Sequence, residues 1–144
     1  MMQLTDRMRR AMERAEGVAR AMGSARVEPA HLLAALALEE GSGAERLLRR
    51  AGIDLRAFRL DLPGGDPAPG AGKVPFSPRA KQVVTQAGAE ATALGHAYLG
   101  TEHLAVALAG SHTELLAALQ QHGAGGQERL RELLRRGIDE ESRS

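Results

Sequence analysis

The chain has no cysteine and no tryptophan, and only one tyrosine and two phenylalanines in 144 residues. Without cysteine there is no disulfide scaffold, no thiolate zinc site and no thiol nucleophile. Few aromatics and few β-branched residues remove most of the usual strand formers. The longest purely apolar run, Leu32 to Leu38, is far too short to cross a bilayer. The opening stretch MMQLTDRMRRAMERAEG alternates charge with Met and Ala and lacks the apolar core of a signal peptide. Net charge is +1, without the basic excess and stacking rings of a nucleic-acid binder. Arg7, Arg9, Arg10, Arg14 and Arg20 make the first segment locally basic, but Asp6, Glu13 and Glu16 interrupt them, which reads as a solvated helix face. These absences point to a cytoplasmic protein that engages neither nucleic acid nor membrane.

What remains is rich in Ala, Leu, Arg and Glu, all good helix formers. The expectation is an all-α fold. A chain of this length buries roughly two-thirds of its unfolded surface, so it needs no covalent staple.

The chain is duplicated. Shifted by 72 positions, one helical face coincides with another. Leu4, Met8, Ala11, Met12, Ala15, Ala19 and Met22 match Phe76, Ala80, Val83, Val84, Ala87, Ala91 and Leu94. Spacings of three and four mark one apolar stripe of an α-helix. Thr5 and Ser77 stand at one offset as N-caps, and Gly23 and Gly95 at another as left-handed C-caps. His31-Leu32 matches His103-Leu104, after which the second copy is one residue shorter. Each copy reads as four helices: 5–22, 29–38, 43–51 and 54–61, then 77–94, 101–109, 112–122 and 126–136. Repeat one spans 4–61 and repeat two 76–136. Between them DLPGGDPAPGAGKVP, Asp61 to Pro75, which contains the linker of 62–75, holds too many prolines and glycines for a helix. The pattern predicts a single domain over 1–137, a tandem pseudo-twofold repeat of two four-helix units with about eight helices sharing one core. The tail 138–144 is polar and expected to fray.

Chemistry is sparse. APGAGKV lacks the first glycine and the final Ser/Thr of a phosphate loop, which are Pro67 and Val74 here. The serines have no evident base, so no catalytic residue is assigned and the chain reads as no enzyme. His31 and His103 recur at one place in both copies, as structural imidazoles bonded to backbone; no second ligand at metal spacing accompanies them. His96, His112 and His122 read as scattered surface or loop residues. Pro29 fits the first turn of a helix, with Glu28 capping. Thr101 fits an N-cap, and Glu102 a first-turn acid favoured by the helix dipole. Tyr98 packs beside this turn or lines a peptide groove.

The stretch FSPRAKQVVTQAGAEATALGHAYLGTEHLAVAL, Phe76 to Leu108, resembles the Clp N-terminal repeat, which stands in tandem at the front of AAA+ unfoldases such as ClpA, ClpB and ClpC. An aromatic residue, Ser-x-Arg-Ala, Leu-Gly-His, an aromatic and Gly-Thr-Glu-His are all present in copy two. Copy one keeps Thr5, Arg7, Gly23 and His31. The resemblance covers Leu4 to about Leu134. It implies an all-α pseudo-dimer that recognises substrate polypeptides, degrons or adaptor proteins for an ATP-driven ring, either as a free-standing protein or as the amino-terminal domain of a larger unfoldase, and no cofactor is expected. Its ClpC branch further implies phosphoarginine binding by the glutamate of Gly-Thr-Glu-His, with Thr101, Glu102 and Tyr98 as candidates. Copy one departs from that motif: its aligned residues are Pro29 and Ala30. At most one such site is expected, in a monomer or weak dimer. The alternative is a stress-related sequestering protein that holds hydrophobic peptides or small ligands in an inter-repeat groove.

Overall fold

The structure is a computed structural model and describes residues 3–68, 73–111, 117 and 126–143. Its helices start and stop where side chains satisfy their ends. Thr5 Oγ1 accepts from the Met8 N–H at 3.0 Å and opens α1 (Asp6–Ala21). Ser77 Oγ accepts from the Ala80 N–H at 3.1 Å and opens α4 (Pro78–Ala93). Both helices close alike. Gly23 and Gly95 adopt φ of 71° and 75°, a region that costs an L side chain strain and glycine nothing. The Ser24 N–H reaches Ala19 O at 2.8 Å, and the His96 N–H reaches Ala91 O at 2.9 Å.

The second helix of each repeat is the hydrophobic centre. In α2 (Pro29–Leu38) every residue except Ala30 is buried. In α5 (Thr101–Ser111) Leu104 to Ala109 are buried without interruption. A helix apolar on all sides must lie inside a shell of others. Here α1 packs on α2, and α4 on α5. The third helix α3 (Gly43–Arg50) crosses to α5, and α6 (Gly126–Arg143) packs on both α5 and α3. One continuous core results, running from Met8, Leu32, Leu36 and Leu48 to Leu104, Leu108 and Leu130.

Two short parallel pairings join the repeats, a feature the all-α reading does not contain. Strand β1 (Gln3–Leu4), at the start of repeat one, pairs with β2 (Tyr98–Leu99) of repeat two. Val27 of repeat one bridges Phe76 of repeat two. The Thr5 N–H donates to Leu99 O at 3.0 Å, and the Ser77 N–H donates to Val27 O at 2.9 Å. Each repeat thus lends its leading segment to the other's corner. This is the pseudo-twofold relation in hydrogen bonds.

Four local expectations need comment. Residues 54–61 are not a full helix but one 3₁₀ turn, Leu55–Phe58, capped by Asp54 and followed by extended backbone. The expected helix 112–122 lies, apart from residue 117, outside the described residues, which hold six α-helices. The tail expected to fray continues α6 to Arg143. The basic face of α1 is not merely solvated. Arg7 donates to Glu40 O at 2.7 Å, Arg14 to Leu38 O at 3.3 Å and Arg10 to the Glu39 carboxylate at 3.2 Å. These arginines meet the free carbonyls at the C-terminal end of α2, the negative end of its dipole.

Candidate functional site

The corner before α5 is built from backbone outward. Gly100 precedes the helix, and its N–H donates to Nδ1 of His103 at 2.9 Å. The corner before α2 repeats the arrangement: the Glu28 N–H donates to Nδ1 of His31 at 2.8 Å. Each histidine is therefore the reciprocal half of a capping box, reaching back three residues to an orphan amide. In copy one Glu28 is the N-cap, its main-chain carbonyl accepts from the His31 N–H at 2.9 Å, and Pro29 occupies the first turn.

Thr101 does not cap its own helix, as the sequence suggests. It is the first residue of α5, and its hydroxyl accepts from the Ala44 N–H of α3 at 3.0 Å. Ser42 Oγ meanwhile accepts from the Glu45 N–H at 3.1 Å. Two hydroxyls, one from each repeat, thus satisfy the opening turn of α3. The sequence gives no sign of this, because 57 positions separate Thr101 from Ala44.

Glu102 folds over the same junction. A Cβ on Gly43 or on Gly100 would overlap its carboxylate, so both glycines make room for it. The side chain is 15% exposed, and its nearest ionisable partner among the described pairs is His103 Nδ1 at 3.9 Å. That nitrogen already accepts from Gly100. The carboxylate therefore rests beside the N-termini of α3 and α5, where helix dipoles favour an anion, without an arginine or lysine in ion-pair contact among the described residues. Its counterpart Ala30 is exposed and offers no such group.

Three rings complete the corner. His103 is fully buried, and its Nε2 lies 2.7 Å from Nδ1 of His96. Because Nδ1 of His103 accepts a hydrogen bond from the Gly100 N–H, its Nε2 carries the ring hydrogen and donates to His96. His96 in turn stacks on Tyr98, with centroids 4.9 Å apart and planes 9° from parallel. Tyr98 is 39% exposed and tilts against His103 at 5.3 Å. His96 is thus no scattered surface residue but the link between a buried histidine and an exposed ring. Burial, and then the neighbouring His96, push the His103 pKa down to about 4. Burial also lowers His31.

Two buried carboxylates lie outside this corner. Glu39, only 2% exposed, sits among Arg10 at 3.2 Å, Arg14 at 3.2 Å and Arg7 at 3.8 Å. The Arg14 Nε contact is an ion pair without hydrogen-bond alignment. Sequence carried a signal for this cluster: Arg7, Arg10 and Arg14 form their own stripe at spacings of three and four, beside a lone acid ending an apolar run. Glu90 takes two hydrogen bonds from Arg131 Nε, at 2.9 and 3.1 Å, which tie α4 to α6. Hydrogen bonding from Arg131 holds its carboxyl below the usual range. Among the described residues no group of His, Cys, Asp and Glu is arranged to hold a metal ion, and no helix is long and apolar enough to cross a membrane.

Comparison with known proteins agrees with this architecture. Residues 3–122 match the Clp repeat (R) N-terminal domain family. An uncharacterized protein of Mycobacterium tuberculosis is 36% identical over 106 residues, which is 72% of this chain and 42% of that one. The chloroplastic chaperone protein ClpC3 of Oryza sativa subsp. japonica is 34% identical over 124 residues, 83% of this chain and 12% of that one. The chain thus spans less than half the length of these relatives. The crystal structure of the Hsp104 N-terminal domain from Candida albicans superimposes with a TM-score of 0.64 at 19% identity, covering 91% of this chain and 88% of that domain. That likeness speaks for the fold. The chain belongs to the Clp repeat (R) N-terminal domain family, whose members include the N-terminal regions of Clp ATPases.

Proposed function

We propose that the protein is a non-catalytic recognition module that receives substrate polypeptides, degrons or adaptor proteins for a Clp-type AAA+ unfoldase, and that the Gly100–Glu102 corner is its receptor. The observation that carries the reading is Glu102: a largely buried carboxylate beside two helix N-termini, given room by Gly43 and Gly100, with no arginine or lysine in ion-pair contact among the described residues. Such a group favours a guanidinium, whose fork of donors matches a carboxylate. A phosphate on that guanidinium would face the positive ends of α3 and α5. Tyr98 adds an exposed face for the flanking peptide. Phosphorylated arginine in a polypeptide has all the matching parts. Copy one, with Pro29 and Ala30, has no equivalent carboxylate, so one receptor of this kind is proposed rather than two.

Isothermal calorimetry with a phosphoarginine peptide and its unmodified twin tests this. Glu102→Ala should weaken the modified peptide by about tenfold or more, the scale of a charge-assisted hydrogen bond. Equal affinities, or no binding by the unmutated protein, would refute it. The sequestering alternative needs an apolar groove. The cleft of about 550 Å³ is mixed instead: Pro29, Val83, Ala107 and Gly110 share its lining with the polar side chains of Arg79, Gln82, Gln86 and Gln127, which does not favour a purely apolar ligand.

A further inference from the structure

The pseudo-twofold relation supplies an internal control for that cleft. In repeat one the stripe Arg7, Arg10 and Arg14 of α1 closes on the Glu39 carboxylate at the end of α2. The 72-residue shift turns this stripe into Arg79, Gln82 and Gln86 of α4. All three line the cleft. The same shift turns Leu38, a buried side chain in a small apolar cluster with Val18 and Ala34, into Gly110, which also lines the cleft. It turns Glu39 into Ser111. Repeat two therefore keeps a cation and two amide donors on the gripping helix, but its sequence has neither the leucine that fills the space nor the acid that is gripped.

Gln127 of α6 occupies part of the room. Its amide donates to Val106 O at 3.0 Å, and a Cβ on Gly110 would overlap it. Gln86 is oriented by donating to Glu90 Oε1 at 3.1 Å. Arg79 is exposed and has no acidic partner among the described ion pairs. A guanidinium donates only, and the nearby primary amides add N–H donors beside their acceptor oxygens, a set that suits a planar anion with two acceptor oxygens. A second guanidinium would be repelled by Arg79.

We propose that this cleft binds a carboxylate of a polypeptide, with Arg79 as its cation and Gln82 and Gln86 as further donors, in the place that Glu39 fills internally in repeat one. The site is separate from the Glu102 corner in its residues and opposite in charge preference, so it stands or falls independently of the receptor proposed above. Together the two would let one polypeptide be read at a basic and at an acidic position.

Nuclear magnetic resonance titration of the ¹⁵N-labelled full chain tests the proposal, with capped tripeptides as probes. Acetyl-Ala-Glu-Ala-amide offers a side-chain carboxylate. Acetyl-Ala-Ala-Ala with a free terminus offers a main-chain one. Acetyl-Ala-Gln-Ala-amide offers neither. Saturable shifts of the Gln82 and Gln86 side-chain amides and of the Arg79 Nε–H are expected with one or both acids and not with the neutral peptide; the stronger acid identifies the source. Arg79→Gln should weaken binding by about tenfold. Gln82→Arg, which rebuilds the Arg10 position of repeat one, should tighten it by about threefold or more. Both positions are exposed, and unchanged melting temperatures verify folding. Glu102→Ala should leave these shifts intact. Equal shifts with the neutral peptide, unchanged affinity in both cleft variants, or loss of the shifts in Glu102→Ala would overturn the assignment.

Discussion

His103 ties protonation to folding. Its imidazole is buried, accepts from the Gly100 N–H and donates to His96. Burial, and then the neighbouring His96, push its pKa down to about 4, and a second proton would have to sit on Nδ1, facing the Gly100 N–H. The unfolded chain takes up that proton near pH 6.5. Between these values the unfolded state binds more protons, so stability is full above pH 6.5 and declines as pH falls toward 4. The melting temperature should therefore drop steadily from pH 7 to pH 4.5. His103→Asn, which retains an acceptor for Gly100, should flatten that slope. Glu90 acts lower on the scale: its carboxyl is held down by Arg131, so its contribution is present above the ordinary carboxylate range and is lost on further acidification. Arg131→Met would leave Glu90 buried without its cation, at a cost of roughly 3 kcal/mol. Urea denaturation should show this as a lower midpoint with an unchanged slope. At this scale the sequence was informative about type and silent about partner. Histidines recurring in both copies marked a structural imidazole, but nothing in LGHAYLGTEH says that His96 and His103 meet.

Among the elements, α3 depends on the opposite repeat. Its opening turn uses Ser42 for Glu45 and Thr101 for Ala44. Thr101→Val keeps the shape and removes the acceptor, leaving the buried Ala44 N–H unsatisfied. A loss of about 1–2 kcal/mol is expected, measurable by thermal melting. Hydrogen exchange should quicken at Ala44 and not at the start of α5, the reverse of what an N-cap of α5 would give. Helix positions were legible because caps and stripes are local: Thr5, Ser77, Gly23 and Gly95 each act within five residues. The failures came where a tertiary neighbour decides. Residues 59–61 have helical composition, yet the chain turns away after Phe58 and sends Leu62 against Val18, Ala34 and Leu38. The Arg7, Arg10 and Arg14 stripe looked solvated because its partner lies on another helix.

For the whole molecule, duplication was the strongest signal in the sequence, and it carries the fold. Two copies of one pattern, each with an all-apolar second helix, have one economical packing: α2 and α5 inside, everything else around them. Sequence periodicity could not reveal the reciprocal pairings of Leu4 with Leu99 and of Val27 with Phe76. They involve one or two residues on each side, too few for an alternating pattern to show. Where the copies diverge, function is proposed to diverge as well: an acid at Glu102 against Ala30, and an open cleft at Arg79 against a filled one at Glu39.

The exchanged leading segments have a further consequence. Neither half owns all the strands that finish its corner, so residues 1–68 and 73–144 made as two separate polypeptides should each remain largely unstructured alone. Mixed, they should regain the helical circular dichroism of the intact chain by fragment complementation, at a midpoint that rises with concentration. Independent folding of either piece would mean that the crossing pairs decorate the interface without sustaining it.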